Sequence, residues 1–274
     1  MVVELLVVLI DLAFTVLLTL FCIPTGNYLH YWAPFLLLIA GYIIGVAIMW
    51  VVLSILAQFY PKDKEYKKPS KWAAFWLAHS IGYINHHALI KLKMTYDEPM
   101  PKERFLLVCN HMSKFDPMLF AEKFGTKGLA FISKPTNFKI PIGAHFMKGS
   151  CYLPIDRYDK LKSLEVMNEA SRLISENLCS IGVFPEGTRH NSIAEYGEFH
   201  EGVFGIAVKA KCPIVVASIV GSDHIHVNFP KRCTRVHISI LKVYYPEQYL
   251  GRTVKSISDE VHKVIGESIE PYKE

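Results

Sequence analysis

None of the six cysteines (Cys22, Cys109, Cys151, Cys179, Cys212 and Cys233) forms a C-x-x-C pair, and their spacings match no common metal site. That argues against a redox dithiol or a zinc centre and leaves small core residues of a reducing compartment. His86 and His87 have no carboxylate or third histidine at ligand spacing, so no metal is expected. There is no G-x-S-x-G stretch, which speaks against covalent catalysis through a serine nucleophile. Internal repeats and low-complexity tracts are also missing. No Lys/Arg stripe is interleaved with stacking aromatics, so nucleic acid is not expected as a partner. The net charge of +5 is mildly basic and suits a bilayer surface or anionic substrates.

Charge is scarcest at the N-terminus. Residues 5–23 carry only Asp11, and residues 35–59 carry none. Each run can cross about 30 Å of hydrocarbon as a helix. The first lacks a basic leading region and an A-x-A cleavage site, and a second run follows at once, so the pair is expected to form a transmembrane helical hairpin over 1–60. The connection, residues 24–34, holds turn formers and aromatics but no Lys or Arg. Lys62, Lys64, Lys67, Lys68 and Lys71 follow the second run, which puts both termini and all later residues on the cytoplasmic side of a cell membrane. Gly41 and Gly45 form a GxxxG pair that would let the helices approach closely. Asp11 is expected to snorkel or to bond within the hairpin.

Residues 61–88 comprise a basic segment and a helix that Ser70 can cap. Trp72, Phe75, Trp76 and Tyr83 suit a headgroup region, and an interfacial helix is expected, with packing on the following domain as the alternative. From 89 to 274, short apolar runs alternate with helical patterns, which predicts an α/β domain with a mostly parallel sheet flanked by helices. Strands are expected at 88–96, 105–109, 129–133, 151–155, 180–184, 213–220 and 235–245, the last at an edge. Helices are expected at 118–124, with Asp116 as cap and Pro117 first, and at 159–178, 202–211 and 254–269.

Two loops carry the chemistry. Asn110-His-Met-Ser-Lys-Phe-Asp116 follows the strand at 105–109, setting a His and an Asp five positions apart where α/β sheets place their sites. A carboxylate beside His111 would fix its tautomer and stabilise its charged form, making it a general base for an alcohol. Pro185-Glu-Gly-Thr-Arg189 follows the strand at 180–184 and combines a turn, a flexible glycine, a hydroxyl and a guanidinium suited to phosphate. Both loops belong on one rim of the sheet.

These stretches resemble the lysophosphatidate acyltransferase family (1-acyl-sn-glycerol-3-phosphate acyltransferases) of the wider glycerolipid acyltransferases. "NHMSKFD" is similar to the family's first block, NHxxxxD, which implies His111 as base and Asp116 as its partner. "FISKPTNFKIPIGAHFMKGSCYLPIDR" resembles the second, where Lys134 and Arg157 match positions linked to the acceptor's phosphate. "FPEGTR" matches the third, implying acceptor binding by Glu186, Gly187, Thr188 and Arg189. "CPIVVASIVG" resembles the fourth, with Ala217 replacing its second proline. His200 and Glu201 stand where many members carry lysine.

The resemblance implies direct acyl transfer, without a cofactor, from an acyl-CoA or acyl carrier protein thioester to the sn-2 hydroxyl of lysophosphatidate, a lipid of the bilayer. Alternatives are another acceptor, such as glycerol-3-phosphate or another lysophospholipid, and a non-catalytic lipid-binding membrane protein. Ser113, beside His111, is a weaker nucleophile candidate. Glu186 is expected to bind glycerol hydroxyls, to organise Arg189, or to fix its loop.

Overall fold

The structure, a computed structural model, describes residues 2–22, 33–190 and 195–272, without the side chains of 21, 22, 33 and 34. The chain divides into two compact units, residues 1–61 and 62–274. The loop around Asn27 lies outside the described residues.

In the first unit, α1 (Val2–Cys22) and α2 (Ala33–Ala57) are each long and apolar enough to cross a membrane. Their outer surfaces expose Leu9, Leu17, Leu20, Ile43, Val51 and Ile55, an apolar girdle that water would penalise and hydrocarbon would not. The GxxxG pair lies at the helix contact: a Cβ at Gly41 would overlap the Asp11 carboxylate, and one at Gly45 would sit 3.0 Å from the Val7 carbonyl oxygen. Asp11 accepts a hydrogen bond from Thr15 Oγ1 at 3.3 Å, so its polarity is partly satisfied on its own helix.

The second unit begins with α3 (Lys71–His87), and Ser70 Oγ accepts from Ala73 N as a helix cap. Ala73, Leu77, Ala78 and Asn85 are buried, and Asn85 donates to Glu122, so one face of α3 packs on the α/β core while Trp72 stays exposed. The basic segment before it is tied to the same unit: Arg172 donates to the Lys67 carbonyl and Cys151 to that of Tyr66.

The core alternates β1 (Ile90–Tyr96), β2 (Leu106–Cys109), α4 (Asp116–Phe124), β3 (Leu129–Ser133), α5 (Pro141–Gly149), β4 (Leu153–Pro154), α6 (Lys160–Ser175), β5 (Ser180–Val183), α7 (Gly205–Ala210), β6 (Ile214–Val220), α8 (Ile225–Asn228), β7 (Thr234–Tyr244), α9 (Pro246–Tyr249) and α10 (Val254–Ile269). The strands form one sheet in the order β1-β7-β6-β2-β5-β3-β4. Every pairing is parallel except β6 with β7. β2, β5 and β6 are buried at every position, the signature of strands covered on both faces.

Three expectations are corrected. β7 is not an edge strand; β1 pairs along its outer side, and alternation in β7 reflects one buried and one open face. Residues 141–149 form a helix that the Gly/Pro-punctuated sequence hid, with Pro141 at its first turn. Asp116 does not cap α4. It is the first residue of that helix, and its carboxylate turns back into the preceding loop.

Candidate active site

β2, β5, β3 and β4 are parallel neighbours, so His111, Arg189, Lys134 and Arg157, each just beyond one of these strands, share one rim. The rim is where an open α/β sheet exposes backbone and loops to a ligand.

The His111 loop is held from three directions. Behind it, Asn110 Nδ2 donates to the Ile219 carbonyl at 2.9 Å and Asn110 Oδ1 accepts from Ile219 N at 2.8 Å. The side-chain amide thus mimics a backbone unit, carrying the β2–β6 pairing on past Cys109 and fixing where the next residue leaves the sheet. Beside it, Glu186 Oε1 accepts from His111 N at 2.7 Å, while His190 N donates to the His111 carbonyl at 3.1 Å. Below it, Asp116 Oδ2 accepts from His111 Nδ1 at 2.9 Å and from Met112 N and Ser113 N, each at 2.7 Å.

Asp116 is fully buried, whereas the His111 side chain keeps 15% of its exposure. An ionised carboxylate at Nδ1 selects the tautomer with the proton there and leaves the Nε2 lone pair available. The imidazole stacks on Phe184 at 4.2 Å between centroids, and Phe184 stacks on Phe131 at 5.5 Å. Gly182 makes room for that column, since a Cβ there would overlap the Phe131 ring. Ser113 Oγ is buried and accepts from Phe115 N, a loop-closing contact.

Glu186 is buried, and its second oxygen accepts from Gly197 N at 3.2 Å and lies 3.0 Å from His190 Nε2. It joins the two motif loops; the geometry matches the loop-fixing role among those expected. Burial raises its pKa to about 7 against the opposing effect of the His111 and Gly197 N–H groups. Gly187 has φ +71, and a Cβ there would lie 2.6 Å from His200 Cδ2 and 3.3 Å from Arg157 Nη1. The close approach therefore needs glycine, and it brings Arg157 and His200 against the Glu186 loop. Thr188, Arg189, Lys134 and Arg157 are exposed. Partial burial lowers the Arg157 pKa. Among the described residues none of the three cations has a carboxylate partner. A base with a free Nε2 and a group of uncommitted cations on one rim can deprotonate a hydroxyl on a phosphate-bearing molecule.

Sequence reasoning did not assign His190, Gly197 or Phe184 to holding the His111 loop and ring; Phe184 opens the FPEGTR stretch and His190 directly follows it, whereas Gly197 carried no signal. Asn191 and Ser192 of that loop lie outside the described residues.

The family model for Acyltransferase matches residues 91–220. A probable 1-acyl-sn-glycerol-3-phosphate acyltransferase of Mycoplasma genitalium is 32% identical over 60% of this chain and 58% of its own. Its counterpart in Mycoplasma pneumoniae is 32% identical over 65% of this chain and 64% of its own, so the chain spans less than two-thirds of either relative. The 1-acyl-sn-glycerol-3-phosphate acyltransferase of Saccharomyces cerevisiae is 23% identical over 91% of this chain and 79% of its own. The crystal structure of the 1-acyl-sn-glycerophosphate acyltransferase PlsC from Thermotoga maritima matches with a TM-score of 0.56 over 74% of this chain and 79% of that one, at 23% identity, and shares the fold. The stretch that this family model matches contains His111, Asp116 and the Glu186 loop.

Proposed function

We propose that the protein transfers a fatty acyl group from an acyl thioester to the sn-2 hydroxyl of lysophosphatidate, yielding phosphatidate. The observation that carries this reading is the His111–Asp116 pair at 2.9 Å, with Nε2 unengaged beside uncommitted cations. His111 Nε2 takes the hydroxyl proton as the oxygen attacks the thioester carbonyl. The new C–O bond forms, the C–S bond breaks, and the imidazolium returns its proton to the leaving thiolate. Asp116 stabilises the imidazolium between these steps. Arg189, Arg157 and Lys134 hold the acceptor's phosphate, which orients its hydroxyl toward the thioester. The names of the mycoplasma and yeast relatives support the acceptor.

In this reading α1 and α2 anchor the chain in the membrane where its lipid substrate resides, with the second unit cytoplasmic; the five lysines after α2 support that orientation. A cysteine replacing Asn27 is then labelled by an impermeant reagent from outside, and protection there would reverse the orientation. The reaction itself is tested with purified protein, lysophosphatidate and an acyl thioester. Phosphatidate is the expected product and His111→Ala abolishes it; equal turnover by that variant would overturn the mechanism.

A further inference from the structure

A second group of cations stands on the same rim, on the other side of His111. β7 runs antiparallel to β6 and β1 runs parallel to β7, so both bring their N-terminal ends to the edge where β2 and β6 finish. Lys91 aligns with Arg235 and Lys93 with His237. Their neighbours Thr234, Val236 and Ile238 are buried on the opposite face, so these basic residues share the open one. They line an open-sided cavity of about 490 Å³ together with Val220, Gly221 and Tyr272. That volume lies within the range of small-molecule sites, about 300–1,000 Å³.

The cavity lining has an excess of positive charge, with Lys91, Lys93 and Arg235 against a single carboxylate. Its one lining carboxylate, Asp223, pairs with His224 at 3.0 Å. Among the described residues Lys91, Lys93 and Arg235 have no ion-pair partner. Burial and Lys93 lower the His237 pKa against the opposing effect of Asp97, and its Nε2 lies 3.0 Å from Thr95 Oγ1. Like charges directly across a strand pair are destabilising. Lysines on an edge strand deter strand addition, which accounts for Lys91 and Lys93 but not for Arg235 on the interior strand β7.

We propose that this cavity binds the phosphate groups of a coenzyme A thioester, the acyl donor, a reading that rests on the acyl-transfer function above. Two phosphate-bearing substrates must meet at one base from different directions. The cations beyond β5, β3 and β4 serve the acceptor, and the cavity at β6, β7 and β1 serves the donor. Val220 and Gly221 directly follow Ile219, whose backbone clasps Asn110 beside His111, so the thioester and its anionic tail would lie along one rim. Coenzyme A carries a diphosphate and a 3′-phosphate, matching several cations rather than one, and Arg235 supplies a planar fork for phosphate oxygens. The half-exposed Tyr272 ring offers the purine a stacking face.

The test uses full-length protein in detergent or nanodiscs. In Lys91→Ala/Arg235→Ala the KM for acyl-CoA rises about tenfold or more, while that for S-acyl pantetheine, which has no nucleotide, stays within twofold. Adenosine 3′,5′-bisphosphate binds the wild type and His111→Ala alike and is lost in the double variant. The glutamine pair, Lys91→Gln/Arg235→Gln, serves should the alanine pair fail to fold. An unchanged acyl-CoA KM, or equal rises for both donors, overturns the proposal. So does loss of binding to phosphatidylglycerol vesicles without loss of nucleotide binding, which marks a lipid-headgroup site. Turnover from acyl carrier protein alone, without nucleotide binding, overturns it too. Nucleotide binding that depends on Lys91 and Arg235 in a protein that transfers no acyl group upholds the cavity and sinks the acyl-transfer reading instead.

Discussion

Asp116 Oδ2 receives three N–H donors at once: His111 Nδ1 at 2.9 Å and the backbone N–H groups of Met112 and Ser113 at 2.7 Å each. One carboxylate oxygen therefore sets both the ring and the loop that carries it. The residue's complete burial keeps water from competing for these bonds. In Asp116→Asn the amide cannot stabilise an imidazolium, and the rate of acyl transfer should fall by about 10³–10⁴, as for the analogous change in a catalytic triad. The amide oxygen can still accept from the two backbone groups, so circular dichroism should show a folded protein.

Glu186 imposes a pH dependence on stability. Its folded pKa of about 7 lies above the ordinary 4.5, so the folded state binds this proton more tightly than the unfolded state does. Its contribution is complete below about pH 4.5 and is lost as pH rises through 7. The loss is on the order of 3 kcal/mol. Denaturant midpoints of the solubilised protein should fall across that window. In Glu186→Gln the fall should vanish, although the amide facing Gly197 N–H forfeits about 1 kcal/mol at every pH.

Asn110 joins β2 to β6 through two buried hydrogen bonds. Asn110→Ala leaves the Ile219 N–H and carbonyl unpaired and should destabilise the domain by about 2–4 kcal/mol. Asn110→Asp sets a carboxylate against the Ile219 carbonyl and should be worse. Both should lower kcat more than either KM, because they displace His111 rather than a substrate contact; a change confined to KM would contradict this placement.

Arg189→Ala should raise the acceptor KM about tenfold or more while moving the donor KM less than twofold, measured by steady-state kinetics with each substrate varied. Gly187→Ala reaches the same cluster from the backbone. Its Cβ would meet His200 at 2.6 Å in a φ +71 conformation, so His200 and Arg157 must shift. Stability should fall by about 1–2 kcal/mol, and the acceptor KM should rise with it.

Much of this was legible locally. The spans of α1 and α2 followed from unbroken apolar runs, β2, β5 and β6 from short charge-free ones, and α10 from its periodicity, because burial on one or both sides imprints itself on consecutive residues. The pairing of His111 with Asp116 was legible because only five positions separate them.

Contacts between distant segments were not. Glu186 was readable as a motif residue, yet its bond to His111 N spans 75 positions, and that of Asn110 to Ile219 spans 109. Such partners are chosen by strand order and register, which depend on how whole faces bury together rather than on local spacing. The placement of β1 outside β7 has the same origin, and it brought Lys91 and Arg235 into one cavity from opposite ends of the domain. Local spacing was enough to single out His111, Asp116 and the cations as candidates for base, partner and phosphate ligands. Which carboxylate holds the His111 loop, and which cations share a pocket, follows from parallel and antiparallel pairing, because that pairing sets neighbours across the sheet.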